Sequence, residues 1–267
     1  MWRGFGRLGR FWRKECCNTS SISPEQPFFA IGDLHGCSDS VLANLLAQLS
    51  DHDPTCPLVF LGDYIDRGEN SSGILEMLLM MRASRRQEVV FLRGNHEHML
   101  LSFLAEPEKF GQDWLNAGGL QTLVSYGLKP TSGGTALQPD ALVELRDQLA
   151  SKLGGRVQGL LSEMPLCWMS GNVFASHAGR DERVGVHKQD AHALLWGSET
   201  QESQNSDGIW TVQGHLIVPK PEIRHQRILV DTGAYATSIL SAAYITAGNV
   251  RFFSTSGRAL PVKSRPL

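Results

Sequence analysis

The chain runs to 267 residues, enough for one α/β domain of ordinary size or at most two domains. Its 42% apolar and 19% charged residues can build a sizeable core, which excludes an intrinsically disordered chain. A net charge of −2 gives no global case for nucleic acid, and five cysteines without a C-x-x-C pair argue against a disulfide framework or a thiolate zinc site and fit a reducing, cytoplasmic compartment.

The first fifteen residues interleave Arg3, Arg7, Arg10, Arg13 and Lys14 with Trp2, Phe5, Leu8, Phe11 and Trp12. The arginines break up the apolar centre that a signal peptide needs. Two readings stay open for residues 1–17: a solvated basic tail, or an interfacial segment in peripheral contact with an anionic membrane. No apolar run approaches the ~20 residues of a membrane span. Ser20 to Pro27 is polar with two prolines and reads as a linker. The chain therefore divides into a tail and linker at 1–27, a folded domain at 28–254 and a C-terminal tail at 255–267.

Short apolar runs at Phe28–Ile31, Leu58–Leu61 and Val89–Leu92 predict buried strands. Between them, Ser38–Leu49 carries apolar residues at 41, 42, 45, 46 and 49, and Ile74–Met81 is similarly helical. Strand–helix–strand–helix–strand order predicts parallel strands with crossover helices. Residues 99–158 read as a helical insertion beside the site, with a loop over Lys129–Pro139. Strands return at Val173–Ser176, Ile209–Gln213, Ile228–Val230, Ile239–Ile245 and Val250–Phe253, closely spaced, which predicts a second sheet packed on the first.

Polar residues collect where these strands end. Gly32-Asp33-Leu34-His35-Gly36 follows the first, Gly62-Asp63-Tyr64-Ile65-Asp66-Arg67-Gly68 the second, and Arg93-Gly94-Asn95-His96-Glu97 the third. Later runs end in His177-Ala178-Gly179 and Gly214-His215. Open α/β sheets bind ligands at the carboxyl ends of their strands. Asp33, His35, Asp63, Asn95, His177 and His215 are thus delivered to one edge. These are oxygen and imidazole donors without thiolate, a set suited to Mn²⁺, Fe or Zn²⁺. Six donors exceed one tetrahedral site and fit two ions sharing a bridging carboxylate, the arrangement used for in-line displacement at phosphorus. Arg67 and Arg93 offer guanidinium forks for phosphate oxygens. His96 could protonate the leaving oxygen, with Asp66 holding its other ring nitrogen. His52, His98, His187, His192 and His225 read as ordinary structural histidines, and Trp114 and Trp168 as core.

The blocks GDLHG (32–36), GDYIDRG (62–68) and GNHE (94–97) resemble the signature motifs of the calcineurin-like metallophosphoesterases, PPP-type serine/threonine protein phosphatases in particular. FASHAG and VQGH resemble that family's later histidine segments, and GGLQTLVSYG at 118–127 looks like its small bacterial branch, which is similar to the bacteriophage lambda phosphatase. The resemblance spans roughly residues 28–254. It implies a fold of two mixed β-sheets packed as a sandwich and flanked by helices. It implies two divalent ions, Mn²⁺ foremost, with Asp63 bridging them. Asp33 and His35 would serve one ion and Asn95 and His177 the other, with His215 completing the set. It further implies His96 as acid on Asp66, Arg67 and Arg93 at the phosphate, and hydrolysis of phosphoserine, phosphothreonine or phosphotyrosine in phosphoprotein substrates by a hydroxide between the ions. Two positions depart from the pattern. Ser198 stands where the bacterial branch has an arginine, and Leu216 follows His215 where the family has threonine. Arg180, Arg183 and Arg224 are candidate substitutes for that arginine. A dinucleoside polyphosphate or other nucleotide hydrolase is the alternative, as is a weakened, phosphate-binding pseudophosphatase.

Overall fold

The computed structural model describes residues 20–84, 87–129, 137–198 and 207–255. The interfacial or basic tail expected at 1–17 lies outside the described residues, as do residues 256–267 and most of the Lys129–Pro139 loop. Among the described residues no helix is long and apolar enough to cross a membrane.

Strands β1 (Phe28–Ile31), β2 (Leu58–Phe60) and β3 (Val89–Phe91) run parallel, joined by α1 (Asp39–His52) and α2 (Ser71–Ser84). The far end of the chain completes this sheet. A hairpin of β9 (Ser241–Thr246) and β10 (Asn249–Ser254) lays β9 antiparallel against β1, giving the order β10-β9-β1-β2-β3. The second sheet holds β4 (Cys167–Ser170), β5 (Val173–Ser176), β6 (Trp210–Gln213), β7 (Glu222–Arg224) and β8 (Arg227–Leu229), in the order β4-β5-β6-β8-β7. β5, β6 and β8 are parallel, with β4 and β7 as antiparallel edges. The expected sandwich of two mixed sheets is therefore present. The placement of the last two strands is corrected: they belong to the first sheet, not the second. The edge strands β4 and β7 are additions to the expected set: β7 is short and mostly charged, and β4, apolar over Cys167–Met169, is partly exposed at the sheet edge.

Alternation along β1 explains the layering. Phe28 and Ala30 join Val173, Ala175, Val212 and Ile228 in the core between the sheets. Phe29 and Ile31 face the other way, onto Leu42 and Leu45 of α1. Both faces of β1 and β2 are covered, which is why their sequences read as unbroken apolar runs. The helical insertion comprises α3 (Asn95–Ala105), α4 (Pro107–Trp114), a π-helical turn over Leu115–Gly119, α5 (Leu120–Ser125) and α6 (Pro139–Glu163). Leu145, Leu149 and Leu153 of α6 share one core cluster with β1 and α1, so the insertion is a wall of the main core. Short helices α7 (Ala191–Trp196) and α8 (Ala234–Thr237) complete the described elements.

The linker reading of Ser20–Pro27 is corrected. Ile22 is buried against the inter-sheet core. The Ser23 N–H donates to Asn172 Oδ1 at 2.6 Å, Asn172 Nδ2 donates to the Ser21 carbonyl at 2.9 Å, and Trp210 Nε1 donates to the Ser20 carbonyl at 2.8 Å. Polar composition here satisfies backbone groups lying along the second sheet. Truncating Ile22 to alanine is expected to cost about 2–5 kcal/mol, the usual range for a buried isoleucine. Urea denaturation monitored by tryptophan fluorescence checks this, and a loss within about 0.5 kcal/mol would restore the linker reading.

Candidate functional site

The carboxyl ends of the two parallel strand triplets meet, and the loops leaving them build one polar, buried cluster. Asp33 and His35 follow β1, Asp63 follows β2, Asn95 begins α3 after β3, His177 follows β5 and His215 follows β6. Asp33, His35, Asp63, Asn95 and His177 are each at most 3% exposed. The loops converge, and His35, Asp63, His177 and His215 fall in compact donor groups together with His96, whereas Asp33 meets the cluster through the His215 backbone and lies in neither group.

Ring orientation is set from behind. His35 Nδ1 contacts the Ile65 carbonyl at 2.8 Å and His177 Nδ1 contacts the Leu61 carbonyl at 2.9 Å. Those contacts turn both Nε2 atoms inward, to 3.2 Å and 3.4 Å from Asp63 Oδ2. His177 Nε2 is also 2.8 Å from the Asn95 amide and 3.1 Å from His215 Nδ1. The His215 backbone N–H donates to both oxygens of Asp33, at 3.2 and 3.1 Å. Two overlapping donor groups result: His35, Asp63 and His96, and Asp63, His177 and His215, each with ligand atoms within 4.8 Å of one another. Asp63 is common to both, the position expected of a bridging carboxylate.

Local backbone serves this geometry. His35, Asp63, Asp66, Arg67 and His215 all adopt positive φ, between 44° and 69°. Non-glycine residues pay about 1–3 kcal/mol for such conformations and hold them only where surroundings dictate. One anchor is the buried Glu97, whose carboxylate accepts the N–H groups of Asp63, Tyr64 and Gly94 at 2.8–3.0 Å. Gly94 is required by proximity, since a Cβ there would lie 2.1 Å from Asp63 Oδ1.

Charge balance in the cluster favours a cation. Burial, then the charges of Asp231 and Asp63, push Asp33 well above the usual carboxylate range. Burial acts upward on Asp63 too, but His177, His96 and His35 outweigh it and hold Asp63 well below that range. Burial acts downward on His35 and His177, yet Asp63 leaves both above the ordinary imidazole value. His215 is lowered to about 4 by burial and by His177. Several buried acids that repel one another, ringed by inward-facing oxygen and nitrogen donors, suit hard or borderline divalent cations. A ligand must first lose its proton, so raising pH through the neutral range strips His35 and His177 and tightens binding. The expected slope is about tenfold in affinity per pH unit for each proton displaced. Calorimetric Mn²⁺ titration of the metal-free protein in buffers of different ionisation heat measures this release, and pH-independent affinity would contradict it.

His96 stands beside this cluster. Its Nδ1 is 2.7 Å from Asp66 Oδ2, its Nε2 4.0 Å from Asp63 Oδ2, and its ring meets that of His35 edge-on at 4.7 Å. Arg67 is exposed, with its guanidinium carbon 5.5 Å from the Tyr235 ring centroid. The Arg93 fork is turned elsewhere: Nη2 donates to the carbonyls of Leu161 and Ser162, at 3.3 and 2.8 Å. Arg180, Arg183 and Arg224 are ion-paired with Asp207, Asp181 and Glu222 respectively. Among the histidines read as structural, His52 packs against Phe29, Tyr244 and Phe253 as expected.

Three contributors were missed in the sequence. Glu97 lies inside the third motif, where nothing local announces that its carboxylate anchors the turn at Asp63. Asp231 follows β8 as Asp33 follows β1, and that strand-end pattern could have found it. Tyr235 carries no such signal; its exposed ring lies 5.4 Å from that of His35.

The calcineurin-like phosphoesterase family profile matches residues 26–230. Among curated proteins, the bis(5'-nucleosyl)-tetraphosphatase PrpE of Halalkalibacterium halodurans is 26% identical over 242 residues, 80% of this chain and 88% of that protein. The serine/threonine-protein phosphatase PP2A-like PPG1 of Candida albicans is 36% identical over 76 residues, 28% of this chain and 18% of that protein. Among solved structures, the cold-active protein-tyrosine phosphatase of a psychrophilic Shewanella superposes with a TM-score of 0.62 at 15% identity, covering 90% of this chain and 82% of that one.

Proposed function

Because the chain belongs to the calcineurin-like phosphoesterase family, whose members bind divalent metals, we propose that it is a metal-dependent phosphomonoesterase acting on phosphoserine, phosphothreonine or phosphotyrosine in proteins. The observation that carries this reading is the buried pair of His96 and Asp66, 2.7 Å apart, with His96 Nε2 facing the donor cluster. A serine or threonine alkoxide is a poor leaving group and gains from a proton in the transition state. A nucleotide leaving from a polyphosphate gains far less.

Asp33, His35, Asp63, Asn95, His177 and His215 would hold two divalent ions, Mn²⁺ foremost, with Fe or Zn²⁺ as alternatives. Such ions supply a nucleophile at neutral pH and neutralise developing charge on the phosphoryl oxygens. Arg67 binds the phosphoryl group and aligns it. Asp66 keeps the Nδ1 proton of His96 in place, so the transferable proton sits on Nε2 and passes to the leaving oxygen. With Arg93 engaged on α6, Arg67 is the guanidinium assigned to substrate here.

A second reading is dinucleoside polyphosphate hydrolysis. It is favoured by the activity that the name of the PrpE relative states, and the exposed Tyr235, Leu216 and Ile217 would suit a nucleobase. Initial rates with Mn²⁺ on a phosphoserine peptide and on diadenosine tetraphosphate, side by side, separate the two. The phosphomonoester reading expects kcat/KM at least about tenfold higher on the peptide, or ~1.4 kcal/mol in transition-state binding. The reverse preference would overturn it. Metal binding without hydrolysis of either compound would identify a phosphate-binding pseudophosphatase.

A further inference from the structure

We infer that Trp114 and Thr122, both in the helical insertion, are positioning residues for proton delivery to the leaving group; the inference rests on reading His96 as the acid. Asp66 is fully buried, and its carboxylate is held from three directions. Oδ2 accepts the Trp114 indole N–H at 3.0 Å in addition to its contact with His96 Nδ1. Oδ1 accepts the Thr122 hydroxyl at 2.5 Å. The Asp66 backbone N–H points to the Ser71 and Thr122 hydroxyls, at 3.1 and 3.0 Å. Trp114, Thr122 and Ser71 are themselves fully buried.

The two donors come from opposite ends of one short stretch. Trp114 closes α4, where its ring stacks on Phe103 at 4.8 Å, and Thr122 lies in the first turn of α5. The π-helical turn between them breaks at Gly118, with φ at 122°. The Gly118 carbonyl accepts the Arg67 N–H at 3.2 Å, and a Cβ on Gly118 would lie 2.9 Å from that nitrogen. One stretch of the insertion therefore grips Asp66 by its side chain and Arg67 by its backbone.

A carboxylate held by His96 alone could rotate about its side-chain torsion and release the ring. With the Trp114 and Thr122 donors fixing both oxygens, it presents one fixed acceptor to Nδ1. That contact selects the ring form carrying hydrogen on Nδ1 and keeps Nε2 aimed at the reacting group. Phenylalanine at 114 and valine at 122 keep each site apolar and filled in the main, and remove the donation to Asp66.

The test compares Trp114→Phe, Thr122→Val, Thr122→Ser and His96→Ala in the full chain with Mn²⁺, on p-nitrophenyl phosphate and on phenyl phosphate, the poorer leaving group. Trp114→Phe and Thr122→Val are expected to lose about tenfold in kcat on phenyl phosphate and no more than about twofold on p-nitrophenyl phosphate, with KM unchanged. Thr122→Ser, which keeps the hydroxyl, is expected to retain wild-type rates on both. In the metal-free protein, ring-nitrogen NMR is expected to show hydrogen kept on Nδ1 of His96 in the wild type while Nε2 gains and loses the transferable proton, and a mixture of Nδ1–H and Nε2–H tautomers in Trp114→Phe and Thr122→Val. Equal losses on the two substrates, or an unchanged tautomer, would overturn the inference while His96→Ala still discriminates between leaving groups. If His96→Ala does not discriminate, the acid role proposed above fails, and this inference with it.

Discussion

Replacing Asp63 by asparagine is expected to lower Mn²⁺-dependent hydrolysis of p-nitrophenyl phosphate by at least about a thousandfold, equivalent to ~4 kcal/mol of transition-state stabilisation. The magnitude follows from position. Asp63 belongs to both donor groups, and its Oδ2 lies within 3.4 Å of two inward-facing imidazoles. An amide has nearly the same shape, so the strand-end turn held by Glu97 should persist and the fold with it. What is lost is the charge that couples the two halves of the site. Elemental analysis of the dialysed variant is expected to show fewer bound ions per chain than the wild type. Near-normal turnover with full metal content would mean that Asp63 does not bridge, and the two-ion arrangement would have to be abandoned.

His96→Ala should give the next largest effect, and one that depends on the substrate. Removing a positioned general acid costs about 10²–10⁴-fold when the leaving group needs a proton. A phosphoserine peptide should show that loss. p-Nitrophenyl phosphate, whose phenolate departs unaided, should lose no more than about tenfold. Because His96 also lies 4.0 Å from Asp63 Oδ2, its removal could weaken metal binding instead. Saturating Mn²⁺ separates these causes, since a binding defect is rescued by excess metal and a missing proton donor is not. A uniform loss on both substrates at saturation would remove His96 from the chemistry of departure.

Much of this site was legible in the residues because each ligand ends a strand. A glycine-flanked Asp or His after an apolar run is locally visible, and parallel strands send such ends to one edge. What escaped was whatever depends on tertiary direction. Trp114 reads as core, and it is core, but nothing in its neighbours tells which way its N–H points. Arg93 directly precedes Gly94 and lies two residues from Asn95, yet its fork is drawn to the carbonyls near the end of α6. The fold was misread for a similar reason. The strands β9 and β10 follow β8 closely in sequence, and proximity argued for one sheet, whereas their partner is β1. The arm at Ser20–Pro27 looked like a spacer because its hydrogen bonds run to Asn172 and Trp210, which no local pattern announces.

That pairing of β1 with β9 also constrains biosynthesis. Among the described strands, β1 leaves the ribosome before the others and cannot be flanked on both sides until β9 has emerged. Loop closure across such a span is slow, and an unpaired edge invites association with other nascent chains. The loop carrying Asp33 and His35 hangs from that same strand, so a chain truncated before the closing ribbon is expected to yield no catalytically competent fragment.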